Sequence, residues 1–207
     1  MPLLSACLAG TLVGGDKELE NTLRKVEERY NRAQTLRVHF TQIYAQAGGR
    51  RMEAGELSLR KPGRMRWDYA SPAGKLFISD GKHVYLYSPA ANRVDKMKLK
   101  ETEDMRAPLA FLLGKLDFSR DFKGFEAKRE DGDLVVKALP KSGKLPYTQV
   151  TFTVSPSYEI RRLVVLGQDQ SVLEFQFAGE TLNPPLSDQL FRFTPPKGAE
   201  VVESSQD

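Results

Sequence analysis

The residues of this sequence that could carry out chemistry are few and lie far apart. The two histidines, His39 and His83, fall in separate predicted strands, and neither has a second ligand at a metal-binding spacing. No serine or cysteine occupies a G-x-S-x-G nucleophile elbow, and no glycine-rich phosphate loop occurs. The acidic residues Glu101 and Glu103 fall in a charged loop, where solvation accounts for them. The sequence therefore argues against an enzyme, and we expect no metal and no cofactor.

The charge distribution argues against a nucleic-acid partner. The chain has 31 Lys and Arg against 27 Asp and Glu, which gives a net charge of +4 and a pI near 9.1. The two signs are mostly interspersed and no aromatic-basic recognition motif is present, so a mixed, solvated surface is expected. The basic excess gathers at Arg60, Lys61, Arg64 and Arg66 and again at Lys96, Lys98 and Lys100. A weak attraction to anionic lipid or to acidic partners stays open.

The clearest structural pattern is a meander of short strands between Glu56 and Asn92. After the turn at Pro62 and Gly63, apolar and polar residues alternate: Met65, Trp67 and Tyr69 against Arg64, Arg66 and Asp68. A strand directs these two sets to opposite faces. Residues 71–74 and the Asp80-Gly81 dipeptide provide the next turns. One face of this meander is therefore predicted to be apolar.

A helix and further strands surround the meander. From Asp16 to Gln34, apolar residues recur at intervals of three and four, which predicts an amphipathic helix that Asp16 caps and that lies on the sheet. Outside the meander, strands are predicted over 36–44, 52–60, 93–99, 125–130, 134–139, 149–155, 160–168 and 171–179. Prolines at 184–185 and 195–196 are expected to end the sheet. The total is about eleven strands, and a sheet of that size must curl.

The segment from Ala107 to Gly114 interrupts the strand pattern. It has no polar residue and little β-branching, Pro108 suits the first turn of a helix, and Gly114 suits its end. We predict a short helix that is apolar nearly all round. It is either a buried plug of the core or a movable lid over an apolar cavity.

The first fifteen residues form an apolar leader, and residues 16–207 are predicted to form one domain. The leader resembles the hydrophobic part of a secretory signal without its basic beginning. Leu4-Ser5-Ala6-Cys7 also resembles a bacterial lipobox, in which Cys7 would be lipidated after cleavage. The other interpretation is a signal cleaved further on, near Ala9-Gly10 or Gly14-Gly15. No run of eighteen apolar residues occurs, so no spanning helix is predicted.

An ordered set of short motifs resembles the LolA family, periplasmic carriers that take lipoproteins toward the outer membrane. The motifs are Phe40-Thr41-Gln42, Lys61-Pro62, Arg66-Trp67, Ser79-Asp80-Gly81-Lys82, Tyr87-Ser88-Pro89, the apolar residues 107–113, and the closing residues 191–198. None is specific alone, and their order and spacing carry the resemblance. It covers roughly residues 16–202.

The resemblance implies an α+β fold. Its single antiparallel sheet of about eleven strands would form a curved, unclosed β-barrel, with an N-terminal helix and short helices that form a lid. Acyl chains of lipoproteins would bind in an apolar cavity and cross the periplasm without an enzymatic step. A monomer is expected, with an inner-membrane lipoprotein-releasing transporter and an outer-membrane acceptor as partners. The predicted cavity residues are Leu57, Leu59, Met65, Trp67 and Tyr69 on the sheet, with Leu109, Phe111, Leu112 and Leu113 above them.

The resemblance also assigns a role to the basic residues before Pro62. The family has an arginine there that helps to hold the lid and is needed for release, whereas this chain has Lys61 with Arg60 beside it. Lysine keeps the charge but not the planar fork of donors, so Arg60 or Arg64 could take over part of the role. The alternative function is a LolB-like receptor or lipid-binding lipoprotein, held by Cys7 at the periplasmic face of the outer membrane. An envelope-stress sensor on the same fold is a third hypothesis.

The leader generates a prediction about the mature protein. We expect the mature chain to begin after the leader, with Cys7 removed and not lipidated. The intact mass of the protein from its native envelope checks this directly. Accumulation of an unprocessed precursor under globomycin, or acyl groups found on Cys7, would instead establish the anchored form.

Overall fold

The computed structural model describes residues 13–99 and 116–203, with side chains from residue 17 onward. Two α-helices are described, α1 over Val13–Arg32 and the short α2 over Phe118–Asp121, together with 3-10 turns at Pro89–Ala91 and Asp188–Phe191. The strands are β1 Thr35–Gln46, β2 Gly49–Arg60, β3 Arg64–Ser71, β4 Leu76–Asp80, β5 His83–Ser88, β6 Arg93–Lys98, β7 Phe122–Glu130, β8 Asp133–Pro140, β9 Tyr147–Val154, β10 Ile160–Gly167, β11 Val172–Leu182 and β12 Glu200–Glu203.

All twelve strands form one sheet in the order β12-β6-β5-β4-β3-β2-β1-β11-β10-β9-β8-β7. Neighbouring strands are antiparallel, except that β12 runs parallel to β6. The first and last strands in this order do not pair with each other within the described residues, so the sheet is not closed into a barrel. The α+β class, the N-terminal helix and the unclosed sheet are confirmed, and the eleven predicted strands correspond to β1–β11.

The alternation in the sequence divides the sheet into two faces. Across the central strands, Val38 on β1 pairs with Leu57 on β2, and Leu57 pairs in turn with Trp67 on β3. Directly paired residues project to the same side. We call the side that carries these three residues the inner face. The same core cluster contains Phe77 on β4 and Phe175, Leu163 and Phe152 on β11, β10 and β9. Val136 on β8 is also buried and pairs with Phe152.

A glycine in β2 permits a close approach to β3 on this face. The register between the two strands shifts at Ala54 and Gly55. A Cβ atom at Gly55 would lie 2.0 Å from the main-chain oxygen of Asp68, which no other residue could accommodate without moving β3. The glycine thereby lets two strands that carry large inner-face side chains stay in contact at a bulge.

Helix α1 covers part of the inner face. Its stripe packs as predicted, with Val26 and Tyr30 buried against strand residues in the same core cluster and Leu23 half-buried beside them. The helix begins at Val13, so the prediction that Asp16 caps its start is wrong. The amphipathic pattern continues to the last turn, but the residues before 16 gave no helical period from which an earlier start could be predicted. No helix among the described residues has the length and apolarity needed to cross a bilayer.

A buried polar cluster connects α1 to β10 and β11. The Tyr30 hydroxyl donates to Oε2 of Glu180 at 2.6 Å and accepts from the main-chain nitrogen of Ile160 at 2.9 Å. Arg29 donates to Oε1 of the same glutamate at 2.5 Å and also contacts Glu159 at 3.2 Å. Burial and the adjacent Glu180 carboxylate raise the pKa of Tyr30 far above its ordinary value, so the phenol stays protonated as a donor.

The chain that follows β11 packs on the outer face of strands β2–β5. We call residues 183–193 the C-terminal strap. The strap buries its own Phe191, and the ring of Phe193 lies 5.2 Å from the ring of Tyr85 at a tilt of 33°. Ile78 is buried on the same face of β4. These contacts form a second apolar layer, separate from the inner-face cluster.

The prediction that Pro195 and Pro196 end the sheet is wrong, because the chain adds β12 after them. This strand has only four residues, Glu200–Glu203, and pairs with β6 in parallel. Its position depends on Glu200 N donating to Asn92 O at 2.9 Å and on the Asn92 side chain donating to Gly198 O at 2.9 Å. A strand of only four residues, with three residues between it and the two prolines, carries too short a pattern to be recognised from the sequence.

The Tyr30 cluster predicts a measurable stability difference. Tyr30→Phe removes the hydroxyl and leaves the amide of Ile160 and one oxygen of Glu180 buried without that partner, so the free energy of unfolding should fall by about 1–3 kcal/mol. Urea denaturation measures this. Tyr44→Phe is the matched control, because the Tyr44 hydroxyl donates to Gln46 at 3.0 Å in an exposed position. Equal, small effects of the two changes would contradict the anchoring role of Tyr30.

Candidate functional site

The five sheet residues predicted to line a cavity lie together on the inner face. Leu57 pairs with Trp67 and Leu59 pairs with Met65 across β2 and β3, and all four side chains are buried. Tyr69 continues the same row of β3 and is half-buried. The structure thus brings these five residues to one surface. Their contact with a ligand stays a prediction.

An aromatic row runs through this surface and joins strands that are distant in sequence. The ring of Phe40 lies 4.7 Å from Trp67 and 5.2 Å from Tyr69, in both cases edge to face. Trp67 in turn lies 5.6 Å from Phe175 on β11. The indole nitrogen of Trp67 donates to the sulfur of Met65 at 3.1 Å, so its one polar group bonds within the row. The surface is therefore apolar and polarisable, and suits a chain of methylene groups.

Phe40 and Phe175 were not predicted as site residues. Both belonged to alternating apolar sets in their predicted strands, so their inward direction was available from the sequence. Their proximity to Trp67 was not, because it requires β1 to pair with both β2 and β11. Strands β1 and β11 are separated by more than a hundred residues, so no short stretch of the sequence indicates that they pair.

The inner face becomes polar toward the β1–β2 hairpin. Glu53 lies on the inner face of β2, two residues before Gly55, and only 6% of its side chain is exposed. Lys75, just before β4, donates to Glu53 at 2.7 Å, and its ammonium lies 4.3 Å from the centre of the Tyr69 ring. Arg51 lies 3.4 Å from Glu53, and the Tyr69 hydroxyl donates to Gln42 at 3.5 Å. The sequence analysis did not identify this group, because Glu53 and Lys75 lie in different predicted elements.

Lys61 lies at the opposite end of the inner face. Its ammonium donates to the main-chain oxygen of Tyr30 at 2.7 Å, and its own amide donates to Gln34 O at 2.9 Å. The oxygen of Tyr30 belongs to the last turn of α1, where main-chain carbonyls lack helical partners and favour a cation. Burial lowers the pKa of the Lys61 ammonium from its ordinary value. Lys61 therefore fixes the end of α1 to the β2–β3 turn.

The side chain of Arg60 projects to the outer face, because consecutive residues of an extended chain project to opposite faces. Its guanidinium donates to the Asp188 carboxylate and to the main-chain oxygen of Leu186, both in the C-terminal strap. Arg64 also contacts Asp188, at 2.9 Å. The structure therefore directs Lys61 and Arg60, the two residues assigned to holding the lid, to opposite faces of the sheet. A role for either in holding the 107–114 segment stays a prediction.

The remaining predicted site residues lie outside the described part of the chain. These are Cys7 and also Leu109, Phe111, Leu112 and Leu113 of the predicted short helix. Residues 1–12 of the apolar leader lie outside it as well, whereas residues 13–15 belong to the first turn of α1. Where the described chain resumes, at residue 116, it is held by α1. Asn31 exchanges two hydrogen bonds of 2.8 Å with the main chain of Leu116, and Glu27 accepts from Phe118 N at 2.7 Å.

The two histidines lie on different strands. His39 is exposed on β1, whereas His83 is half-buried on β5 with Asp80 3.9 Å away. Across residues 13–99 and 116–203, no three His, Cys, Asp or Glu side chains come close enough together to hold a metal ion.

Comparison with known proteins relates this chain to lipoprotein carriers. Residues 31–194 match the family model described as "Outer membrane lipoprotein carrier protein LolA". A protein of Pseudomonas paraeruginosa named outer-membrane lipoprotein carrier protein is 30% identical over 179 residues, which cover 84% of this chain and 83% of that protein. A protein of the same name from Methylobacillus flagellatus is 28% identical over 169 residues, which cover 81% and 82% of the two chains.

Among solved structures, an uncharacterized conserved protein from Thermus thermophilus has the same fold. Its TM-score is 0.54 at 14% sequence identity, and the match covers 90% of this chain and 99% of that one. The family model spans most of the sheet described above, from the end of α1 to the C-terminal strap. The chain belongs to the LolA family of outer membrane lipoprotein carrier proteins.

Proposed function

We propose that this protein binds the acyl chains of lipoproteins on its inner face and carries them across the periplasm toward the outer membrane. The observation that carries the proposal is the apolar row of Trp67, Phe40, Tyr69 and Phe175 on the inner face of an unclosed sheet. Membership of the LolA family supports the same function. An inner-membrane transporter would load the carrier and an outer-membrane acceptor would unload it.

The energetics favour such a host. Each methylene group removed from water contributes about 0.8 kcal/mol, so a chain of about fifteen methylenes contributes on the order of 10 kcal/mol. A carrier that supplies this environment through rings and aliphatic side chains makes no directional bond to the chain. The passenger can therefore leave for any acceptor whose apolar surface is larger or better fitted.

The second candidate function is a lipid-anchored receptor of the LolB kind, which the Leu4-Ser5-Ala6-Cys7 segment favours. Such a protein would bind acyl chains on the same inner face but would be attached to the outer membrane on its periplasmic side. The two functions therefore differ in where the mature chain begins and not in the binding surface.

Acyl-chain binding should be visible through Trp67, the only tryptophan. A fluorescent fatty acid that enters the inner face should change the Trp67 emission and show saturation, because the indole lies in the middle of the aromatic row. Trp67→Phe is the control, since it keeps an aromatic ring but removes the reporter. A titration to saturating ligand in which neither fluorophore changes would count against the proposal.

Lys61→Leu should trap the passenger. The change removes the donor to Tyr30 O and adds apolar surface beside the inner face, so the loaded state is favoured while the fold loses only about 1 kcal/mol. In a transfer assay from loaded carrier to an outer-membrane acceptor, we expect little or no handover. Lys61→Arg should transfer at the parental rate or faster, because the charge is kept and the planar fork is restored.

Lys141→Leu is the matched control for this experiment. Lys141 also donates to a main-chain oxygen, that of Ser119 at 2.5 Å, but it is exposed and lies beyond the end of β8. Its loss should leave transfer unchanged. Parental transfer by Lys61→Leu would show that Lys61 has no role in release, and Arg60 would become the next residue to test.

A further inference from the structure

The Glu53–Lys75 ion pair lies at the hairpin end of the inner face, and a contribution to the stability of the fold does not account for its position there. Glu53 and Lys75 form an ion pair whose side chains are 6% and 18% exposed. Removing two charges from water costs several kcal/mol for each ion, and well-packed apolar residues in the same place are often equally stabilising. An ion pair at one end of an otherwise apolar face therefore points to a ligand with a polar end.

The polarity of the inner face changes in one direction along the strands. From the α1 side toward the hairpin, β1 presents Leu36, Val38, Phe40 and then Gln42, while β2 presents Leu59, Leu57, Gly55 and then Glu53. Tyr69 lies at the transition, with Phe40 5.2 Å from its ring and the Lys75 ammonium 4.3 Å from the same ring. A molecule with apolar chains and a polar head matches this order in only one orientation.

The ammonium group of Lys75 has N–H donors that could bind the polar head of a ligand. An ammonium group has three N–H donors. Within the described residues, one side-chain hydrogen bond of Lys75 is present, to Glu53 at 2.7 Å. Glu53 holds the ammonium in place beside the Tyr69 ring, so the remaining donors need no large movement to reach a ligand.

We propose that Lys75, positioned by Glu53, binds the carbonyl oxygens that join the acyl chains of a lipidated peptide to its head, so that the passenger lies with its chains along Trp67 and its head at the hairpin end. This inference rests on the proposed function and adds the orientation of the passenger and the residue that recognises its polar end. Ester and amide carbonyls accept hydrogen bonds from an ammonium without needing a charge of their own.

The test compares a probe that has such a head with one that does not. A synthetic tripalmitoylated cysteinyl peptide carries ester and amide carbonyls, whereas diphenylhexatriene is apolar throughout and fluoresces when bound. Lys75→Met keeps the length of the side chain and removes the ammonium. We expect it to weaken binding of the lipopeptide about tenfold, the loss of one charge-assisted hydrogen bond, with no change for diphenylhexatriene. Lys75→Arg should restore the affinity.

Two further variants control for charge and for folding. Lys137→Met removes a lysine that pairs with Glu126 at 3.2 Å on the outer face and should change neither affinity. If Lys75→Met leaves Glu53 too poorly paired to fold, the double change Glu53→Gln with Lys75→Met removes both charges and carries the same expectation. Thermal unfolding of each variant confirms that the fold is kept.

The outcomes separate this inference from the function on which it rests. Equal losses for both probes would assign Lys75 to packing, and no loss for either would remove it from the site; each overturns the inference while acyl binding stands. If Lys75→Met weakened the binding of palmitic acid but not that of the lipopeptide, Lys75 would bind free carboxylates, and the inference would again be overturned. A parent protein that binds neither probe would overturn the proposed function, and the inference with it.

Discussion

The structure depends on the burial of the large apolar inner face. Strands β1–β11 contribute side chains to one core cluster, and α1 is the only long helix among the described residues that packs on it. An apolar surface of this size cannot stay in water without a cover. Apolar contacts alone are not directional. The hydrogen bonds of Tyr30 and Arg29 to Glu180 therefore fix the position of α1 on this surface.

The β2–β3 turn is the point where the inner and outer layers meet. Lys61 holds the last turn of α1 on the inner side, and Arg60, its neighbour in the chain, holds the C-terminal strap on the outer side. Because Lys61 and Arg60 are consecutive residues, a movement of the turn would change the contacts of both α1 and the C-terminal strap. The tie to α1 uses a single ammonium and one main-chain oxygen, which is weaker and more easily exchanged than the paired contacts on the outer side.

The inner face itself combines two kinds of environment. The aromatic row supplies non-directional contacts, whereas the Glu53–Lys75 pair supplies a fixed charge geometry in a place where burial strengthens it. A face of this kind holds an amphiphile more specifically than a uniformly apolar one, because the wrong orientation leaves the ion pair against methylene groups. In the proposed orientation of the passenger, the free-energy cost of burying the Glu53–Lys75 pair contributes to this specificity.

The sequence by itself determined the local elements and the face each residue occupies. Period-two alternation placed Leu57, Leu59, Met65, Trp67 and Tyr69 on one side, and the turn residues divided the chain into β1–β11, because backbone geometry links both features to short windows of sequence. Only the tertiary structure decided which strands are neighbours. The pairing of β1 with β11 brings Phe175 to Trp67, β12 joins β6 after two prolines, and Glu53 meets Lys75 across a bulge. These contacts depend on the path of the whole sheet, so no local pattern encodes them.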